Sequence, residues 1–247
     1  MRNLRLLVLH SYYQILELAR QPMYIVSTIL FPSMFFWFFG VPNAQNPSAA
    51  LIMLGSFSAY AVLGIVLFQF GVGIAQERGT PWSAYLRILP APSWVGFFSR
   101  ILSGIFFACL AVAGVIWTAY HFTPVELTAE RILAFLIYLF LGSIPFGMMG
   151  IVIGLSCKAH SALPVANLVY LPLSFAGGLW VPPNALPKAV QDISPYLPTR
   201  MYGELIWNVL LQREMDNKYL IGLAAYLAVF GVIAAYLYRQ EEERRYK

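Results

Sequence analysis

The sequence predicts an all-α integral membrane protein with six transmembrane helices. Apolar residues make up 60% of the 247 residues, charged residues only 11%, and the mean hydropathy is +0.68. A soluble domain carries roughly 25% charged residues. The charges are also confined to short segments, because residues 21–76 and 101–125 contain no Asp, Glu, Lys or Arg. Long uncharged runs separated by short polar segments are typical of helices that cross a membrane several times.

Residues 1–21 precede the first apolar run and have an amphipathic pattern. Polar residues recur at helical spacing on one stripe, and apolar residues occupy the opposite stripe. The polar stripe contains Asn3, His10, Gln14, Glu17 and Gln21, and the apolar stripe contains Leu4, Val8, Tyr12, Ile15 and Ala19. The pattern predicts an interfacial helix, which lies along the membrane surface instead of crossing it.

Six apolar segments are long enough to cross the hydrocarbon core, which takes about 20 helical residues. They are residues 23–41, 49–75, 97–120, 132–156, 163–181 and 219–238. The first segment ends in an aromatic run, residues 35–39, of the kind that settles at a membrane interface. Arg100, near the start of the third segment, is expected to extend its charged group to the inner surface.

Two of the six segments contain residues that affect helix packing. Gly142, Gly147, Gly150 and Gly154 in the fourth segment predict that another helix approaches closely. The fifth segment is interrupted by Pro164, Pro172, Gly177 and Gly178. Backbone groups freed at such breaks are tolerated where they are buried in protein or face a water-filled cavity. The fifth segment is therefore a candidate for lining a pathway.

Residues 182–218, which we call the outer segment, form the longest stretch outside the predicted spans. Their apolar residues suit two short helices that dip into or lie along the outer surface of the membrane. Eleven Lys and Arg residues flank the spans on the side of both termini, and five flank them on the other side. By the positive-inside rule, both termini are expected in the cytoplasm. The same orientation places Trp82 and Trp94 at the inner interface, and Trp37, Trp117, Trp180 and Trp207 towards the outer one.

The sequence lacks the residues on which several functions depend. No predicted span carries an Asp, Glu, Lys or Arg in its interior, which disfavours transport coupled to protons or ions. His10, His121 and His160 are scattered along the chain, so no catalytic or metal-binding group is predicted. None of the four lysines follows a glycine, so the chain has no P-loop. If ATP drives this protein, another chain binds the nucleotide.

Residues 76–100 are the main charged island in the first half of the chain after its amino terminus, and residues 77–93 within it are predicted to form a loop at the membrane surface. Tyr85, Leu86 and Leu89 offer an apolar surface for contact. Gly79 permits a tight bend, and Pro81 suits the first turn of a helix. On these residues alone, the segment fits either a docking site for a soluble partner or a surface turn held in the headgroups by Trp82 and Trp94.

The order Glu-Arg-Gly-Thr, followed by Leu86, Leu89 and Pro90, resembles the acidic-x-Gly-Thr loop of ABC-2 type transporter permeases, the membrane subunits of type V ABC exporters. The resemblance includes the amphipathic amino-terminal helix, the six spans and the Gly178, Trp180, Pro182, Pro183 motif. It covers essentially the whole chain. The family commonly has an acidic residue shortly after the Thr, whereas this chain has Pro81, so docking is expected to depend more on Glu77, Arg78 and Arg87.

The resemblance implies a permease that pairs with a second copy of itself and with two copies of a separate ABC ATPase, which binds ATP and Mg²⁺. By the same resemblance, the loop at 77–93 would be the coupling helix, and the residues that contact the ATPase would be Glu77, Arg78, Gly79, Thr80, Tyr85, Leu86, Arg87, Leu89 and Pro90. The complex would export a hydrophobic or amphipathic compound, such as a drug, an antibiotic or a lipid, across the plasma membrane, the inner membrane of a bacterium. The pathway candidates are Phe68, Gln69, Asn167 and Tyr170, and the outer-gate candidates are Gly178, Trp180, Pro182 and Pro183.

Two alternatives remain open from the sequence. Permeases that export polysaccharides or other lipid-linked glycans share this architecture, and a wide aromatic-lined channel would distinguish them from a narrow apolar slit. A non-transporting membrane scaffold or a lipid-modifying enzyme is the alternative of another class. Gln69 likewise suits either a hydrogen bond between helices or a contact with substrate.

Overall fold

The computed structural model describes residues 2–78, 80–81 and 92–245, with the backbone alone for Ser93 and residues 242–245. Throughout this part of the chain, helices and short turns account for all regular structure, and the predicted all-α class is confirmed. In chain order, the helices are α1 (Arg2–Ala19), α2 (Pro22–Asn43), α3 (Pro47–Arg78), α4 (Ser93–Phe122), α5 (Ala129–Ser156), α6 (Ala159–Ala176), α7 (Lys188–Ile193), α8 (Pro198–Leu210) and α9 (Asn217–Arg245).

Among the described residues, five helices are long and apolar enough to cross a membrane, namely α2, α3, α4, α5 and α9. The predicted fifth span, residues 163–181, coincides mainly with α6. That helix has 18 residues, so its length of about 27 Å falls slightly below the roughly 30 Å of the hydrocarbon core. Pro164 and Pro172 lie inside it.

Helix α3 is the centre of the bundle. It packs against α4, α5, α6 and α8, and it is buried on nearly all faces. It also extends to Arg78, three residues beyond the predicted second span. Glu77 and Arg78 are consequently the last residues of a membrane helix and not part of the loop that follows.

The glycines of α5 allow α3 to approach it closely. A Cβ atom at Gly154 would lie 2.8 Å from the Phe70 carbonyl oxygen, and one at Gly150 would lie 3.2 Å from the Leu67 carbonyl oxygen. Gly142 fills the same role against the ring of Tyr202 in α8, with a Cβ only 2.6 Å from Cδ2. The glycine run is a packing surface, as the sequence predicted.

Helix α2 is irregular. Two π-helical turns, Val26–Leu30 and Phe36–Gly40, alternate with α-helical turns. Pro32 follows the first wide turn, and because proline has no N–H it cannot donate to the carbonyl of Thr28. Phe36 faces inward and packs against Phe57 of α3, whereas Trp37, Phe38 and Phe39 are exposed.

Helix α1 packs along α4 through the face that carries Ser11, its one fully buried residue. The apolar stripe predicted from the sequence remains largely uncovered, with Leu4, Val8 and Tyr12 exposed. The polar residue Glu17 is exposed as well. An uncovered apolar stripe on an amphipathic helix is available for contact with lipid.

Helix α8 of the outer segment is mostly buried between the long helices. Three of its side chains form hydrogen bonds with three different helices. Thr199 Oγ1 donates to the Leu173 carbonyl of α6 at 2.6 Å, Tyr202 Oη to the Leu139 carbonyl of α5 at 2.8 Å, and Trp207 Nε1 to Ser56 Oγ of α3 at 2.9 Å. Burial raises the pKa of the Tyr202 hydroxyl well above its ordinary value, so it remains a donor. Helix α8 therefore holds α3, α5 and α6 together at one end of the bundle.

Candidate functional site

The predicted docking segment begins at the end of α3. Thr80 ends the helix locally, since its N–H and its hydroxyl both donate to the Glu77 carbonyl, at 3.0 Å and 2.8 Å. Thr80 is exposed, as is Pro81. The other predicted contact residues, Gly79, Tyr85, Leu86, Arg87, Leu89 and Pro90, lie outside the described residues.

Glu77 forms an ion pair with Arg100 of α4. The Glu77 side chain is 57% exposed, whereas Arg100 is a buried residue with 8% of its surface exposed. Arg100 Nη1 also donates to the Gln69 carbonyl of α3 at 2.8 Å. The guanidinium therefore bridges a carboxylate and a carbonyl that lie about two turns apart on the same helix. Its donors are met inside the protein, at the end of α3 that carries the predicted docking segment, and its extension to the inner surface stays a prediction.

Small residues make room for this buried polar cluster between α3 and α4. A Cβ atom at Gly73 would lie 2.5 Å from Arg100 Nη1, and one at Gly104 would lie 2.5 Å from Gln69 Oε1. Gln69 Nε2 donates to Ser103 Oγ at 2.7 Å. Gln69 thus forms the interhelical hydrogen bond that was one of its two predicted roles.

Arg78 contacts two other helices. Its Nη1 atom lies 2.8 Å from Glu241 Oε2 of α9 and donates to the Leu155 carbonyl of α5 at 2.6 Å. Both side chains of the ion pair are mostly covered, with 28% of Arg78 and 21% of Glu241 exposed. They line a cleft of about 260 Å³ together with Leu155, Ser156, Leu237 and Gln240.

The two ion pairs connect the ends of four helices. Glu77 links α3 to α4, and Arg78 links α3 to α5 and α9. The contact of Glu241 with Arg78 was not predicted, because the last span was placed at 219–238 and the residues beyond it were taken as a charged tail. Helix α9 continues through that position, and opposite charge near two helix ends is the signal that could have suggested the pairing.

The pathway candidates divide between two faces of α3. Phe68 and Tyr170 are in ring contact, with centroids 5.3 Å apart, and Tyr170 also stacks on Tyr60 at 4.8 Å. The Tyr170 hydroxyl donates to the Tyr60 carbonyl at 2.9 Å. Asn167 is half-buried on α6, the helix of Tyr170. Gln69 does not join this group, because its side chain faces α4.

The outer-gate candidates follow the end of α6. The N–H of Gly178 donates to the Phe175 carbonyl and that of Leu179 to the Ser174 carbonyl, both at 3.0 Å. Gly178 has φ +80°, so this is a Schellman motif whose left-handed position favours glycine. Trp180 then contacts Phe35 and Tyr60, with centroids 5.9 Å and 5.6 Å away. Pro182 and Pro183 are half-buried, and a Cβ at Gly178 would lie 2.9 Å from Pro183 Cγ.

Comparison with known proteins gives one family and one curated relative. The sequence pattern of the family described as ABC-2 type transporter matches residues 6–211. A protein of Bacillus subtilis (strain 168), named "Putative transport permease YvfS", is 23% identical over 232 residues, which cover 92% of this chain and 94% of the relative. No solved structure matches the chain significantly.

Proposed function

The chain belongs to the ABC-2 type transporter family, and from this membership we propose that it is the permease subunit of an ABC exporter whose ATPase is a separate chain. Two copies of the ATPase would bind and hydrolyse ATP with Mg²⁺ outside the membrane. The permease would dimerise and move a hydrophobic or amphipathic compound outward. The observation that carries the proposal is the family match over most of the chain, which includes the loop at 77–93.

The proposed topology has six spans, with both termini and the docking loop in the cytoplasm of a plasma membrane. Helix α6 is the additional span, and its short length is offset by the residues that continue beyond it to Val181. The ion pair between Arg78 and Glu241 supports this topology, because it brings the carboxyl-terminal helix to the end of the bundle that carries the loop. The uncovered apolar stripe of α1 supports its position along the membrane surface.

The docking contact is proposed to involve Thr80, Tyr85, Leu86, Arg87, Leu89 and Pro90, with Glu77 and Arg78 at its base. Leu86 and Leu89 supply apolar surface and Arg87 supplies charge for the ATPase. Because Glu77 and Arg78 have partners within the chain, variants of these two residues would disturb the bundle as well as docking. The loop residues beyond them are better targets for a test of docking alone.

A co-purification experiment tests the proposed partner. The tagged chain is extracted from its own cells in mild detergent, and the co-purifying proteins are identified by mass spectrometry. We expect an ABC ATPase with the wild type and its loss in Arg87→Glu combined with Leu86→Asp. Arg213→Glu, an exposed residue between α8 and α9, is the matched charge reversal away from the loop and should retain the ATPase. A wild type that retains no ATPase would contradict the proposal.

A second measurement tests the substrate class. The permease–ATPase complex is reconstituted in liposomes, and ATP hydrolysis is measured with added amphipathic dyes or with lipid-linked oligosaccharides. We expect the dyes to stimulate ATP hydrolysis. The pathway candidates Phe68 and Tyr170 form an aromatic group with Tyr60, and such a group suits an apolar compound better than a glycan. Stimulation by the oligosaccharides alone would replace this substrate class with glycan export.

A further inference from the structure

Glu77 and Arg78 are consecutive residues at the end of α3, and they contact different neighbouring helices. Adjacent residues of an α-helix point about 100° apart, so they reach different neighbours. Glu77 reaches Arg100 of α4, and Arg78 reaches Glu241 of α9 and the Leu155 carbonyl of α5. The point at which the chain leaves the bundle for the loop is thereby attached to all three helices.

We propose that Arg100 and Glu241 are positioning residues for the docking loop. They hold Glu77 and Arg78 so that the base of the loop moves together with α4, α5 and α9. This inference rests on the proposed function, since it assigns a role to residues that would not themselves touch the ATPase. Its consequence is that these ion pairs determine how strongly docking is coupled to ATP hydrolysis, and not how tightly the ATPase binds.

The burial of Arg100 suits this role. An ion pair with one partner at 8% exposure is screened by salt much less than a pair on the surface. The planar guanidinium can also donate to the Glu77 carboxylate and to the Gln69 carbonyl simultaneously, which the single ammonium group of lysine reproduces poorly. Gly73 leaves space for the guanidinium, with a hypothetical Cβ at 2.5 Å from Nη1.

The pair between Arg78 and Glu241 connects the loop to the other end of the sequence. Both partners are largely covered, and their atoms lie 2.8 Å apart. Arg78 also reaches the Leu155 carbonyl at the carboxyl end of α5, where unpaired carbonyls make the helix end negative. A positive charge at position 78 is therefore stabilised by both helices, and a negative charge there would be opposed by both.

A charge-exchange cycle tests the pair. Arg78→Glu, Glu241→Arg and the double variant are each reconstituted in lipid nanodiscs with the ATPase that co-purifies with the wild type. The amount of ATPase retained and the rate of ATP hydrolysis are measured separately. We expect each single variant to lower hydrolysis at least about fivefold, at the lower end of typical coupling between sites. Glu241→Arg should do so with ATPase retention unchanged, because Glu241 lies outside the proposed docking contact. The double variant should recover part of the rate, because the opposite charges at positions 78 and 241 face each other again, whereas the Leu155 carbonyl still lacks its donor.

A matched control is Lys218→Glu, which reverses one charge of the exposed Asp216–Lys218 ion pair and should leave both readouts at the wild-type level. Single variants that hydrolyse ATP like the wild type, or a double variant as slow as the singles, would overturn the positioning role of Glu241. A wild type without any bound ATPase would instead contradict the proposed function, so the two failures can be told apart.

Arg100→Lys tests the other pair while keeping the positive charge. We expect slower hydrolysis at unchanged ATPase retention, because lysine cannot hold Glu77 and the Gln69 carbonyl together. The expression level of Arg100→Lys and its monodispersity in detergent are measured beside those of Arg100→Gln. These two measurements show whether a slower variant is misfolded or is folded with altered coupling. Wild-type hydrolysis in a well-folded Arg100→Lys variant would show that Arg100 does not position the loop.

Discussion

At the level of single residues, Arg100 and Trp207 lie deeper in the protein than their chemistry alone suggests. Both were expected at a membrane interface, where a charged group or an indole N–H finds water. Arg100 instead pairs with Glu77 and the Gln69 carbonyl, and Trp207 is 5% exposed with its N–H on Ser56. Trp207 is therefore covered by protein, and its position towards the outer interface stays a prediction. In both cases, an acceptor on α3 replaces water, so burial leaves the donor satisfied.

Replacing Trp207 by Phe should destabilise the protein. The change removes the donor to Ser56 and leaves a void, and losing a buried hydrogen bond costs about 1–3 kcal/mol of unfolding free energy. Thermal unfolding in detergent measures the effect. Trp117→Phe is the matched control, because Trp117 is exposed, and it should change the midpoint little. Equal midpoints for the two variants would contradict the buried hydrogen bond.

At the level of elements, two contacts determine how the long helices fit together. The glycines of α5 allow α3 to approach its backbone, and α8 links α3, α5 and α6 through three buried hydrogen bonds. The outer segment contains the short helices α7 and α8, whereas their predicted position in or along the outer membrane surface stays a prediction. Helix α8 belongs to the packed interior, because Tyr202, Leu205, Ile206 and Leu210 are fully buried.

Gly154→Ala should weaken the contact between α3 and α5. A Cβ atom there would meet the carbonyl oxygens of Phe70 and Gly71 at 2.8 Å and 2.9 Å, and backbone atoms cannot move aside as a flexible side chain can. We expect a lower unfolding midpoint, corresponding to about 1–3 kcal/mol for overpacking. Gly96→Ala is the control, since nothing lies within 4 Å of its Cβ position. It should be neutral or stabilising, because alanine favours a helix by about 1 kcal/mol over glycine.

Tyr202→Phe tests the attachment of α8. Removing the hydroxyl takes one hydrogen bond from the Leu139 carbonyl, which keeps its partner within helix α5. We expect a loss of about 0.5–1.5 kcal/mol in unfolding free energy. The difference in unfolding free energy between the wild type and Tyr202→Phe should shrink above pH 10.0, the ordinary pKa of tyrosine. The pKa of buried Tyr202 is raised, so alkaline pH favours the unfolded wild type, in which the hydroxyl ionises. Tyr120→Phe, at an exposed position, is the control and should show no such loss.

At the level of the whole molecule, a central buried helix is surrounded by helices whose outward surfaces are apolar. Large apolar side chains are exposed on α2, α4, α5, α6 and α9, including Trp37, Phe106, Leu141, Leu168 and Val232. So much exposed apolar surface is incompatible with water but suits lipid or a second copy of the chain. The charged residues of the described part lie mainly towards helix ends, as in multi-pass membrane proteins.

The proposed topology can be tested with single cysteines. In a background without Cys109 and Cys157, Arg213→Cys and Gly96→Cys place thiols at exposed positions near opposite ends of the bundle. A membrane-impermeant maleimide added to spheroplasts should label position 213 at once and position 96 only after permeabilisation. Labelling of both positions without permeabilisation, or of position 96 alone, would contradict six spans with cytoplasmic termini.

The sequence by itself determined the helical class, the positions of the long helices and the family. Charge-free runs of sufficient length can form only helices in a membrane, because each backbone polar group must find its partner within the segment. The amphipathic pattern likewise predicted α1, and the glycine spacing in α5 predicted a close contact. These features depend on local composition and periodicity, which a sequence displays directly.

The tertiary structure decided which residues are partners. Glu77, Arg100 and Gln69 belong to one cluster, and Arg78 meets Glu241 from the far end of the chain. Periodicity shows which face of a helix is apolar but not which helix will cover it, so neither ion pair could be predicted from spacing. The burial of α8 could not be predicted for the same reason, since it depends on which helices cover it. The physical reason is that these contacts depend on how the helices pack in three dimensions. That packing results from residues throughout the chain and not from the local pattern of any one segment.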